Sequence, residues 1–204
     1  MTKPQRQITR PSQSKLEFWL NGWEKWEKME NYRNQESALN KLFHCTYPTN
    51  ANLDDVLVKV ATLNDFYSTH IFNLFAVAKH IMGIKNLDER LKNGDEKLVN
   101  EIAKSGLKNK NGKEITFYSF ATKFCSHHND ADFAIYDSYV EKILMHFKNV
   151  DKFSDFKQDD LKKYAEFKRI LGDFKAFYKL QCNLKDLDRY LWQLGKKHFA
   201  VVKK

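Results

Sequence analysis

The stretch SFATKFCSHHNDADFAIYDSYVEKIL, residues 119–144, decides how this chain is read. Residues 115–127 read as one helix, residues 129–136 as a short turn, and residues 137–148 as a second helix. Asp137-Ser138 followed by Val140-Glu141 is a helix start, and Ser138-x-x-Glu141 has the form of a capping box. One lysine, Lys123, lies inside the first helix. One aspartate, Asp137, opens the second.

Working outward, the same helical spacing recurs on both sides. Leu16, Trp19, Leu20, Trp23 and Trp26 are three and four apart and place three indoles on one face of a helix that starts near Ser14. Such a stripe is a core face or a docking surface. Residues 37–44 form a short helix that ends before Tyr47-Pro48. Val56, Val60, Leu63, Phe66 and Tyr67 line one helix. Ile71, Leu74, Phe75, Ala78, Ile81 and Met82 line the next, with Ser68-Thr69 as its expected N-cap and Gly83 as its stop. Residues 86–94 and 95–105 are short amphipathic helices. Residues 157–181 read as one long helix and residues 184–196 as the last.

The bulk composition agrees with helices. Only 7 Gly and 3 Pro leave little turn chemistry for a many-stranded sheet, whereas 16 Phe and 9 Tyr supply ample apolar volume. The expected fold is all-α, one compact multi-helix domain over residues 14–199. A disordered basic tail is expected at residues 1–13 and a short basic tail at residues 200–204. The three cysteines, Cys45, Cys125 and Cys182, are odd in number and far apart. That pattern fits reduced thiols in a cytoplasmic protein, not a disulfide framework. No apolar run is long enough to span a membrane, and no secretory signal is expected, because residues 1–13 are polar and basic.

Charge points to a class of partner. Lys and Arg total 35 against 26 acids, a formal net charge of +9, which favours nucleic acid or another polyanion. The clearest loop, GLKNKNGK at residues 106–113, carries Lys108, Lys110 and Lys113 and no acid. Its ammonium groups and backbone N–H groups can both reach a phosphate. His127 and His128 extend the candidate nucleic-acid-binding set. They are poor metal chelators, because neighbours on a helix point about 100° apart, and neither a metal nor another cofactor is expected. A protein partner docking on Trp19, Trp23 and Trp26 is the competing expectation.

A lysine and a carboxylate also support one specific reaction. A desolvated amine becomes a nucleophile toward a sugar carbon and forms a Schiff base, while a carboxylate stabilises the positive charge that develops as a base departs. Lys123 and Asp137 are the candidates.

The run Ala121-Thr122-Lys123 followed by residues 133–140, FAIYDSYV, resembles the helix-hairpin-helix DNA glycosylases, in particular the 8-oxoguanine glycosylase branch. It is closer still to small bacterial proteins with an 8-oxoguanine-DNA-glycosylase-like fold, mostly of undetermined function. Their core pattern Ser-x-x-(Ser/Thr)-Lys is matched by Ser119, Thr122 and Lys123. Their late Leu-Trp-x-x-Gly-Lys helix is matched by Leu191, Trp192, Gly195 and Lys196. The resemblance implies a glycosylase-like helical fold, DNA as partner rather than RNA, and Lys123 and Asp137 as catalytic residues of an N-glycosylase/AP lyase. Its alternative is a non-catalytic member that binds nucleic acid or a protein. Three departures are visible, one being a separation between Lys123 and Asp137 shorter than in the glycosylases. Residues 115–120, ITFYSF, hold no glycine where the glycosylase hairpin has Gly-x-Gly, and a phosphate cannot approach a Phe or Tyr backbone as closely. Ala134 stands where the pattern prefers Pro. There are no four cysteines for an iron–sulfur cluster.

Overall fold

The computed structural model describes residues 8–200. Ten α-helices are present and no strand is formed among the described residues, so the all-α expectation is met. The helices gather into two compact units, residues 27–136 and residues 8–26 with 137–200.

The unit of residues 27–136 begins with a 3-10 turn and α2, Glu30–Lys41, which runs on into a π-helical turn, Leu42–Thr46. Next come α3 (Leu53–Tyr67), α4 (Leu74–Met82), α5 (Leu87–Lys92), α6 (Lys97–Ala103) and α7 (Tyr118–His128). α7 is the central helix. From Phe120 to His127 every residue on it is buried, as expected of a helix with no solvent face. Val56, Val60 and Leu63 of α3, Val77 and Ile81 of α4, and Leu98, Val99 and Ile102 of α6 complete the core, each fully inaccessible. Burying a side chain of that kind contributes about 1.5–3 kcal/mol.

The link between α3 and α4 differs from the sequence expectation. Ser68 ends α3 in the left-handed region (φ 48°) instead of opening α4. Asn73 caps α4, its side chain accepting from Ala76 N at 3.0 Å. The cause is Asn64, whose Oδ1 accepts from Ile71 N (2.8 Å) and from Thr69 Oγ1 (2.9 Å). That consumes the hydroxyl that would otherwise cap a helix.

The other unit contains α1 (Gln13–Lys25), α8 (Ser138–Asp151), α9 (Tyr164–Phe177) and α10 (Leu184–Phe199). Ser12 caps α1. Of the segment expected to be a mobile tail, Ile8 and Pro11 are buried, and Arg10, itself exposed, pairs with Asp151 at 3.2 Å. Residues 1–7 and 201–204 of the two expected tails lie outside the described residues. The indole stripe is a core face. Trp19 and Trp23 are each 7% exposed, Gln193 Nε2 of α10 donates to Trp19 O at 3.0 Å, and Trp23 meets Trp192 edge to face. Of the two readings of this stripe, core face or docking surface, Trp19 and Trp23 take the first, and Trp26 is half-buried.

Two boundaries also move. The helix cap expected at Ser138 sits one residue earlier: Asp137 is the N-cap, and its Oδ1 accepts from Tyr139 N at 2.8 Å. The expected helix over residues 157–181 is broken at Lys163, which is extended (φ −106°, ψ 112°), leaving a 3-10 turn, Gln158–Lys162, before α9. α9 ends when Lys179 turns left-handed (φ 55°) and Leu180 N bonds back to Lys175 O at 2.9 Å, the Schellman arrangement.

Candidate functional site

The Ser119-x-x-Thr122-Lys123 run sits on the first turns of α7, and its side chains converge on the backbone of Tyr136. Thr122 Oγ1 accepts from Tyr136 N at 3.1 Å and donates to Ser119 O at 2.9 Å. Ser119 Oγ donates to Tyr136 O at 3.2 Å. Lys123 Nζ donates to the same carbonyl at 3.1 Å and to Ser119 Oγ at 2.7 Å. Both polar groups of the Tyr136 peptide are thus held by one helix turn.

Lys123 is 1% exposed. Its amine lies 5.1 Å from the centroid of the Tyr67 ring, a cation–π contact. Held this way, the amine is desolvated, but it is engaged by Ser119 and Tyr136 and must leave them before it can attack anything. The backbone entering α7 is covered rather than open. Phe117 and Tyr118 are both buried, and Phe117 N is already bonded to Ala103 O at 2.9 Å. Aromatic side chains therefore fill the entry to α7.

His127 and His128 do not face a phosphate. His127 is buried, and its Nε2 lies 2.9 Å from Tyr67 Oη. His128 packs against Phe43 and Phe124 and sits 3.3 Å from Asn50 Nδ2. Burial, with the nearby Lys59 charge adding to it, holds the His128 pKa well below the usual histidine value. At neutral pH it is therefore uncharged. The structure thus places both candidate residues against protein groups and away from the exposed lysine loop.

Lys59 was not legible as a site residue. It is 0% exposed on α3, donating to Thr49 O (2.9 Å) and Asn50 Oδ1 (3.0 Å), with Phe43 under the amine at 5.3 Å. Asn50 in turn donates its backbone N–H to Asp88 at 3.0 Å. Burial lowers the Lys59 pKa to about 8, with Asp88 and then Asp55 acting in the opposite sense. The signal available in sequence was a lysine between Val56, Val60 and Leu63, inside an apolar stripe.

The loop at residues 106–113 is the exposed part of the predicted set. It forms a small hairpin with one antiparallel bridge between Lys108 and Glu114. Asn109 Oδ1 accepts from Asn111 N (2.9 Å) and Lys113 N (3.0 Å), fixing the tip. Gly106 and Gly112 adopt φ of +75° and +74°, which a residue with a Cβ would resist. Lys108, Lys110 and Lys113 are all exposed, and none forms a salt bridge among the described residues. The structure therefore displays three unneutralised ammonium groups on an ordered turn. It separates them from Lys123, His127 and His128, which lie in the interior of the same unit. Asp137 caps α8 in the other unit.

Residues 16–132 match the model of the HI_0787_N family, an N-terminal domain, and the chain belongs to that family. The matched span covers the loop lysines, Lys59 and Lys123 and stops before Asp137. A relative from Haemophilus influenzae, an uncharacterised protein, is 54% identical over 151 residues, which are 74% of this chain and 71% of its own length. No solved structure matches.

Proposed function

We propose that the chain is a DNA-binding protein that holds the phosphate backbone on the loop at residues 106–113. The observation that carries this reading is the set of exposed, unpaired lysines, Lys108, Lys110 and Lys113, on a hairpin whose shape Asn109 fixes. An ordered loop loses little entropy when it binds, and lysines already in water lose little hydration when they meet a phosphate. The net charge of +9 adds long-range attraction. Binding of a labelled duplex and a labelled single strand, followed by fluorescence anisotropy, tests the reading. Wild-type protein binds, and K108Q/K110Q/K113Q weakens binding about tenfold or more, as expected when several counterion-releasing contacts are lost. No binding of either DNA by the wild type ends it.

A second reading, base-excision chemistry, draws on the burial of Lys123. Its amine is buried beside Ser119 and Tyr136, and an amine is the nucleophile that Schiff-base chemistry requires. With Lys123 as the amine and Asp137 as the carboxylate, as the glycosylase resemblance implies, the reaction is N-glycosylase/AP lyase. Borohydride trapping on DNA carrying 8-oxoguanine or an abasic site tests it. A covalent adduct that disappears in K123A supports the enzyme. Absence of an adduct leaves a non-catalytic binder.

A further inference from the structure

We infer that the DNA this protein takes is single-stranded, and that Phe72 and Phe75 form the platform on which unpaired bases stack. The inference rests on the DNA-binding reading and names the form of its substrate. Phe72 is 63% exposed and Phe75 53% exposed. Phe75 lies on the first turn of α4, and Phe72 stands just before the Asn73 cap. Two phenyl rings three positions apart in sequence stand largely in water, a surface open to a flat apolar ligand.

The segment that displays them is held in place. Ser68 and His70 both adopt left-handed backbone conformations (φ 48° and 58°), which are unfavourable for residues with a Cβ. Asn64 pins the turn through Ile71 N and Thr69 Oγ1. Ile71 is buried at 5% exposure, so the residue after it is turned outward. The strain and the anchoring together present Phe72 on a rigid mount.

The position of the platform supplies the identity of the ligand. The Phe72 ring centroid lies 6.4 Å from that of Phe117. Phe117 N bonds to Ala103 O, so Phe117 and Ala103 are the two feet of the lysine loop. Lys104, exposed, begins that loop, and Lys79 lies 5.8 Å from the Phe75 ring centroid. A cation thus lies beside Phe75, and the lysine-bearing loop ends at Phe117, the ring neighbour of Phe72. That is the arrangement single-stranded nucleic acid requires, with phosphates on ammonium groups and bases on aromatic faces. A duplex hides its base faces in its own stack, so it gains from the lysines but not from the rings.

The test compares labelled oligothymidine with a duplex of the same length, using the full chain. The wild type binds the single strand more tightly. F72A/F75A loses single-strand affinity about tenfold or more while its duplex affinity is unchanged, and F72Y/F75Y keeps single-strand binding. Both rings are exposed, and the thermal melt of each variant checks that the fold is intact. Single-strand binding unaffected by F72A/F75A overturns the inference, as does an equal loss on both DNAs or a wild-type preference for duplex. In each of those cases the DNA-binding reading survives. No binding of either DNA overturns both.

Discussion

Gly195 of α10 lies directly against Tyr139 of α8: a Cβ built on Gly195 would stand 2.7 Å from Tyr139 Cβ and 2.7 Å from its carbonyl oxygen. The two helices cross at that point, backbone against backbone. Gly195 belongs to the late Leu-Trp-x-x-Gly-Lys run and Tyr139 to the Asp-Ser-Tyr-Val run, so two of the motifs that carry the resemblance meet in one helix crossing. G195A forces the helices apart. It should cost about 1–3 kcal/mol, the range for overpacking a tight interior, and lower the melting temperature by about 2–4 °C per kcal/mol for a chain of this size. An unchanged melting temperature would show that the crossing yields freely.

Lys59 gives stability a pH dependence of known sign. Its folded pKa of about 8 lies below the ordinary value of 10.5, so the folded state disfavours the charged form. The penalty is present in full below pH 8, is relieved as pH rises from about 8 toward 10.5, and is absent above. The expected gain over that window is about 3 kcal/mol, because each tenfold change in proton affinity between the folded and unfolded chain is worth about 1.36 kcal/mol. Urea midpoints measured at steps across it should rise in the wild type more than in K59M, which has no amine to titrate. Parallel curves for the two proteins would contradict the assignment.

The Thr122 hydroxyl is the part of the α7 run that satisfies the Tyr136 N–H. T122V is close to isosteric and leaves that buried donor unpaired, at a cost of about 1–3 kcal/mol. T122S keeps the hydroxyl and should lose less. Chemical denaturation of the two variants checks the order, and equal stability for T122V and wild type would remove the clamp from the account.

Helical spacing was enough to expose most of the fold, because apolar faces repeat along the chain: Val56, Val60 and Leu63 need no partner to be recognised as one side of a helix. Misread boundaries were those set by a distant side chain. Asn64 takes the Thr69 hydroxyl and shifts the cap to Asn73, and nothing local to residues 68–73 shows it. Burial was the harder quantity. Trp19 and Trp23 read equally as core or docking surface in the sequence, and what covers them is α10, about 170 residues later. For the site, charge and glycine placement made the lysine loop legible. Lys123 could be found by motif, but its engagement with Tyr136 depends on the path of the following turn. Phe75 fits the spacing of an apolar face and Phe72 belongs to no motif. Their exposure is a property of the folded chain that the spacing does not show.

The salt dependence of DNA binding tests the central claim most directly. A protein that neutralises phosphates with lysines shows a log–log fall of affinity with salt whose slope is about 0.7–0.9 per phosphate contacted. Measured for the wild type and K108Q/K110Q/K113Q, the slope should be steep in the first and shallower by about two to three in the second. Binding insensitive to salt, or the same slope in both proteins, would contradict the assignment of the loop at residues 106–113 as the phosphate contact.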